Sequence, residues 1–150
     1  MRAVASNRRA RYDYEIRETF EAGLVLRGSE VKSLREGRAN LTDAYAMVRD
    51  GEAWLVGAYI GPYSFSRDGG HEPERTRKLL LHRREIDRLA GTLAETGLTL
   101  VPLRVYFKEG KAKVELGLGR GKRRYDKREA IKAREMAREM ERARKLRGRR

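Results

Sequence analysis

A chain of 150 residues has room for one ordinary domain, and with 39% hydrophobic and 39% charged residues it can bury a modest core while leaving much of its length solvated. It has no cysteine, which excludes disulfides, thiolate metal ligands and a catalytic thiol. The net charge of +14 is concentrated at the ends: residues 1–11 carry four arginines and no acid, residues 12–119 balance 17 basic against 17 acidic side chains, and residues 120–150 carry 15 basic against 5 acidic.

In chain order, residues 1–11 are expected to form a basic N-terminal arm. No apolar signal segment follows Met1, and the expectation is a soluble cytoplasmic protein. Tyr12–Phe20 alternates, with Tyr12, Tyr14, Ile16 and Phe20 on one face, and predicts a half-buried strand broken at Ala22-Gly23 and resumed at Leu24–Leu26. Ser29–Gly37 predicts a short helix, with Ser29 capping its start, Gly37 its end, and Val31 and Leu34 facing the core. Asp50-Gly51 joins Ala44–Val48 to Glu52–Val56 as a hairpin. Residues 61–76, with three glycines and two prolines, predict a long loop. Glu85–Leu93 predicts an amphipathic helix with Ile86, Leu89, Ala90 and Leu93 as its apolar stripe. Leu98–Lys108 and Lys111–Leu118 predict a second hairpin about Glu109-Gly110. Short strands with turn signals and two short helices imply a mainly β fold, a small closed antiparallel barrel of OB-like type spanning residues 12–119.

After Leu118 the composition changes. Gly119–Arg124 predicts a flexible basic connector. Residues 126–146 lack Gly and Pro but carry only a thin stripe of Ala133, Met136, Ala137, Met140 and Ala143. Residues 120–150 are therefore expected to be a basic C-terminal tail, partly disordered alone and helical on a partner.

Catalytic chemistry finds little support. His71 and His82 stand alone, and no phosphate-binding loop, dinucleotide fingerprint, zinc-protease or serine-hydrolase motif is present. No metal site and no cofactor are expected. Basic ends on a neutral body instead fit a polyanion, RNA or DNA. Two tyrosines border the basic runs. Tyr125, between Arg124 and Asp126, can stack on a base; Tyr12 beside Arg11 can do the same or serve the core.

Five strings carry a resemblance: Asn7-Arg8-Arg9-Ala10-Arg11, Phe20-Glu21-Ala22-Gly23-Leu24, Gly28-Ser29-Glu30-Val31-Lys32-Ser33-Leu34-Arg35, Arg75-Thr76-Arg77-Lys78-Leu79-Leu80-Leu81 and Gly121-Lys122-Arg123-Arg124-Tyr125-Asp126-Lys127-Arg128. In this order, over most of residues 7–135, the chain resembles the bacterial tmRNA-binding (SsrA-binding, small protein B) family. Departures are mild: Arg replaces Lys in places, and Tyr125 stands where other members can carry histidine. The resemblance implies a six-stranded OB-like barrel with three helices. It implies a monomeric adaptor that binds the tRNA-like domain of tmRNA, works with elongation factor Tu, and accompanies tmRNA to stalled ribosomes. There the tail enters the empty message path of the small subunit, against its rRNA, and the stalled peptide is tagged for degradation. No membrane is involved.

By the same resemblance, Asn7, Glu21, Leu80 and Lys113 match the RNA-contact surface, supported by Arg8, Arg9, Arg11 and Lys78. Gly121, Lys122, Arg123, Tyr125, Asp126, Lys127 and Arg128 match the functional motif of the tail. Strand alternation is consistent with the first set. Lys113 beside Val114 points outward, and Leu80, flanked by Leu79 and Leu81, faces opposite to them. A carboxylate at Glu21 can accept hydrogen bonds from a guanine edge or from 2′-hydroxyls.

Overall fold

The computed structural model describes residues 2–63, 70–94, 97–122 and 135–142. Two hairpins set its register. β4 (Tyr45–Arg49) and β5 (Glu52–Val56) turn at Asp50 (φ 53°) and Gly51 (φ 73°). β8 (Leu98–Lys108) and β9 (Lys111–Gly121) turn at Glu109 (φ 52°) and Gly110 (φ 78°). Paired left-handed residues twist in the same sense as the flanking strands, which is why both two-residue loops hold their hairpins closed. Earlier in the chain lie β1 (Ala3–Ser6), α1 (Ala10–Asp13), β2 (Tyr14–Leu24), α2 (Gly28–Arg35) and β3 (Ala39–Asn40). β6 (Tyr59–Ile60), β7 (Arg77–Leu80) and α3 (Arg83–Ala94) come between the hairpins.

The hydrogen-bonded order β8–β4–β5–β7–β2–β9 returns from β9 to β8, so six antiparallel strands close a ring. Closure leaves these strands no long open edge. One edge of β8 is shared: β4 meets it at Leu100, and β1 covers Arg104–Tyr106. β3 and β6 pair as a separate two-stranded sheet. Inside the ring lie Phe20, Ala22, Leu55, Leu79, Val114 and Leu116. α3 packs onto the core through Ile86 and Leu89, with Leu93 partly buried beside them.

Several expectations are corrected. Residues 1–11 are not a free arm: β1 is woven onto β8, and Asn7 and Ala10 are buried. Tyr12 lies on α1, 61% exposed, and not in the strand, because the helix ends only at Asp13. Tyr14 and Ile16 do not share a face with Phe20. A bulge between Ile16 and Glu18 turns them onto an outer cluster with Ala10, Val101 and Leu103, while Phe20 stays in the barrel. Ala22-Gly23 does not interrupt β2, which runs unbroken to Leu24. Ser29 lies inside α2; the start of that helix is capped by Glu30, whose Oε1 accepts the Arg27 N–H at 2.7 Å. Gly37 does end it, with φ 75°. Val31 is only partly buried, and Ala90 is exposed. Arg120 and Gly121 are strand, paired with Glu15 and Tyr14, so β9 outlasts the expected boundary at residue 119. Gly119 is needed there: a Cβ would sit 2.4 Å from the Glu15 carbonyl oxygen. Residues 135–142 are helical with every side chain exposed, including Met136 and Met140.

Candidate nucleic-acid interface

Four neighbouring strands present one continuous outer face. Leu80 on β7 pairs with Gly23 on β2, Gly23 with Lys113 on β9, and Lys113 with Tyr106 on β8. The next outward row is Glu21, Glu115 and Arg104. Between these rows Ala22, Val114 and Val105 point into the barrel, so strand alternation alone sends the named residues outward. The register thus gathers Glu21, Leu80 and Lys113 from segments ninety residues apart.

Each has a distinct setting. Leu80 is 55% exposed and lies across Gly23, where an added Cβ would come within 3.1 Å of its own. Its exposure sets it outside the barrel core. Lys113 makes no ion pair within 4 Å among the described residues, though its charge acts on Glu21. Lys78, on the same side of β7 as Leu80, donates to Glu52 Oε1 at 3.1 Å.

Glu21 is engaged. Its Oε2 accepts the Tyr106 hydroxyl and its Oε1 accepts Lys108 Nζ at 3.4 Å. The Tyr106 hydrogen bond, aided by the charges of Lys108 and Lys113, holds the Glu21 carboxyl below its usual range despite some burial. Burial and the Glu21 carboxylate push the Tyr106 phenol up to about 12. The Arg104 guanidinium lies over the Tyr106 ring, 4.9 Å from its centroid, and donates to Glu115 at 3.5 Å; Arg11 pairs with the other Glu115 oxygen at 3.9 Å. A chain of contacts therefore runs from Glu21 through Tyr106, Arg104 and Glu115 to Arg11. It ends in a cleft of about 450 Å³ also walled by Arg8 and Ser6.

The N-terminal residues divide between roles. Arg8 is exposed at this cleft, and Arg9 pairs with Asp13 at 3.9 Å on α1. Asn7 is 9% exposed, and its Nδ2 donates to the carbonyls of Leu41 and Pro102, both at 3.2 Å. These two bonds tie the N-terminus to the barrel next to its basic neighbours. In the tail motif, Gly121 is strand and Lys122 is exposed; Arg123, Tyr125, Asp126, Lys127 and Arg128 lie outside the described residues.

Three features had no assigned role in the sequence. Glu30 and Arg77, both fully buried, pair at 2.5 Å. Arg75 adds a second bond to Glu30 at 2.6 Å, and Arg77 also donates to the carbonyls of Ala58 at 2.7 Å and Pro73 at 3.0 Å. Burial pushes the Glu30 carboxyl up, but hydrogen bonds from Arg75, the Arg27 N–H and Arg77 outweigh it and leave the group below its usual range. His71 bridges Ser29 Oγ at 2.8 Å and the Ile60 carbonyl at 2.9 Å, holding the long loop against α2. Arg104 and Glu115 belong to the outer face itself. Alternation from Lys113 to Glu115 was the signal that could have found the second of them.

The model of the family described as SmpB protein matches residues 4–146. A relative named SsrA-binding protein, from Sulfurihydrogenibium sp. (strain YO3AOP1), is 58% identical over 142 residues, covering 95% of this chain and 93% of its own. Another of that name, from Anaeromyxobacter dehalogenans (strain 2CP-C), is 61% identical over 142 residues, covering 95% and 87%. A solved structure described as "tmRNA-SmpB: a journey to the center of the bacterial ribosome" contains a chain 54% identical to this one, with a TM-score of 0.67 over 84% of this chain and 92% of that one. Identity at this level across nearly the whole length, joined to a closed barrel of matching architecture, places the chain in the SmpB (SsrA-binding protein) family.

Proposed function

We propose that this protein is a tmRNA-binding adaptor of trans-translation, with the outer face of β7, β2, β9 and β8 as its seat for the tRNA-like domain. The observation that carries the reading is that register brings Leu80, Lys113 and the cleft flanked by Arg8 and Arg11 onto one surface. Apolar contact for an unstacked base, cations for phosphate and carboxylates for base edges are what an RNA loop requires. The family membership and the solved complex of a relative with tmRNA support the same reading. The tail then serves the ribosome, with residues 122–128 and the helix beyond them set against rRNA in the small subunit. The protein works as a cytoplasmic monomer, in company with elongation factor Tu, and binds rather than catalyses. Among the described residues no helix is long and apolar enough to cross a membrane.

The test is equilibrium binding to a transcript of the tRNA-like domain and to an ordinary elongator tRNA. We expect strong preference for the former, retained by a chain truncated after Lys122, which keeps β9 whole. If Arg8, Arg9, Arg11 and Lys113 each neutralise one phosphate, log affinity should fall with log salt at a slope of about 3–4. Equal binding to both RNAs would instead mark a general tRNA- or rRNA-binding protein, and cleavage of either RNA an enzyme.

A further inference from the structure

One oxygen of Glu21 is committed to the Tyr106 hydroxyl, which leaves only the other, 3.4 Å from Lys108, for the base-edge role expected of it. The carboxylate on this face with capacity to spare is Glu115. Its contacts, 3.5 Å to Arg104 and 3.9 Å to Arg11, are well beyond the roughly 2.7–2.9 Å of a formed charge-assisted hydrogen bond. It stands in the wall of the 450 Å³ cleft, the size of a small-ligand pocket, together with Arg8, Arg11 and Arg104. Arg104 has one planar face on the Tyr106 ring and is partly exposed to the cleft, which leaves a flat cationic ledge of the kind on which bases stack.

We propose that this cleft is a subsite for one unpaired guanine nucleotide: Arg104 stacks on the base, Glu115 accepts its N1–H and 2-amino hydrogens, and Arg8 and Arg11 hold the flanking phosphates. A carboxylate presents two acceptors side by side and no donor, and guanine alone has two adjacent donors on its pairing edge. Adenine and cytosine each set a donor beside an acceptor there, and uracil has a single donor between two acceptors. Glu21 becomes a positioning residue in this arrangement. By holding the Tyr106 hydroxyl it fixes the ring on which Arg104 rests. The inference rests on the RNA-binding reading above and adds to it a base identity and two residues, Arg104 and Glu115.

The test uses the full chain and a tRNA-like-domain transcript in which each unpaired guanine is replaced in turn by inosine, which keeps N1–H and loses the 2-amino group. One such replacement should weaken wild-type binding about ten-fold. Glu115→Gln should weaken binding to the parent transcript by a similar factor and then be indifferent to that inosine. Arg104→Lys, which keeps the charge and loses the plane, should cost about five-fold with either base. The inosine series on the wild-type protein needs no variant to fold. If every inosine transcript binds wild type as tightly as the parent does, or if Glu115→Gln still discriminates guanine from inosine, the guanine subsite is wrong while the RNA-binding reading stands. A parent transcript bound no better than ordinary tRNA would overturn both.

Discussion

Glu30→Ala removes the anion from a fully buried site. Arg77, fully buried, would keep its bonds to the carbonyls of Ala58 and Pro73 but lose the carboxylate that pairs with it at 2.5 Å. Breaking one partner out of a buried pair costs about 3–5 kcal/mol, because the remaining charge is left uncompensated. The same carboxylate caps α2 through the Arg27 N–H at 2.7 Å, so the upper half of that range is expected. Replacing both partners with apolar side chains, Glu30→Leu with Arg77→Met, should cost much less, within about 2 kcal/mol of wild type, since no fully buried charge is left unpaired and Arg75, which also loses Glu30, is partly exposed. Urea unfolding followed by circular dichroism measures these differences as a shift in midpoint at constant slope. The pH dependence has a definite sign. A carboxyl held below its ordinary value of 4.5 contributes stability that is present above that pH and lost as pH falls through its folded value. Wild type should therefore lose more stability than Glu30→Gln on acidification below about 4.5. A Glu30→Ala protein within about 1 kcal/mol of wild type, or a double variant worse than the single one, would refute the reasoning.

Three further outcomes are expected. Spectroscopic titration of the tyrosines should show one phenol ionising late, near 12, with the stability it contributes present below pH 10 and lost as pH rises toward that value; in Glu21→Gln this late titration should move down. Leu80→Ala should shift the urea midpoint little, because the side chain is already exposed, yet weaken binding to the tRNA-like domain by about five-fold, equivalent to about 1 kcal/mol. Met140→Pro, past the first turn of the helical segment at residues 135–142, should cost about 3 kcal/mol of helix stability, leaving tmRNA affinity unchanged and reducing peptide tagging on stalled ribosomes.

What could be read from the sequence was what short-range chemistry decides. Asp50, Gly51 and Gly110 favour the left-handed backbone that their turns require, and both hairpins were legible for that reason. Leu80 and Lys113 could be placed on the outer face by alternation with buried neighbours. The illegible parts depend on partners far along the chain. Nothing within residues 3–6 announces that they pair with residues 104–106. A single bulged residue sent Tyr14 and Ile16 to a different cluster from Phe20, and no alternation pattern reveals an insertion in a ladder. Glu30 and Arg77 were overlooked because charged residues are buried only when paired, and the pairing spans 47 positions. Glu21 could be recognised through its family string, but its engagement by Tyr106 could not, since that hydroxyl comes from a strand 85 residues later.

The lock formed by Asn7 has a consequence for synthesis. Its side chain bonds to the Pro102 carbonyl, 95 positions downstream, and the ring closes only when β9 pairs with both β8 and β2. A chain emerging amino-terminus first thus carries its opening strand unpaired until nearly the whole barrel has been translated. At ordinary elongation rates of about 5–20 residues per second, the interval from Asn7 to Gly121 lasts roughly 6–23 s. A message broken before the codons for β9 yields a product whose barrel cannot close, so such truncated copies would emerge as protease-sensitive chains rather than as defective competitors for RNA.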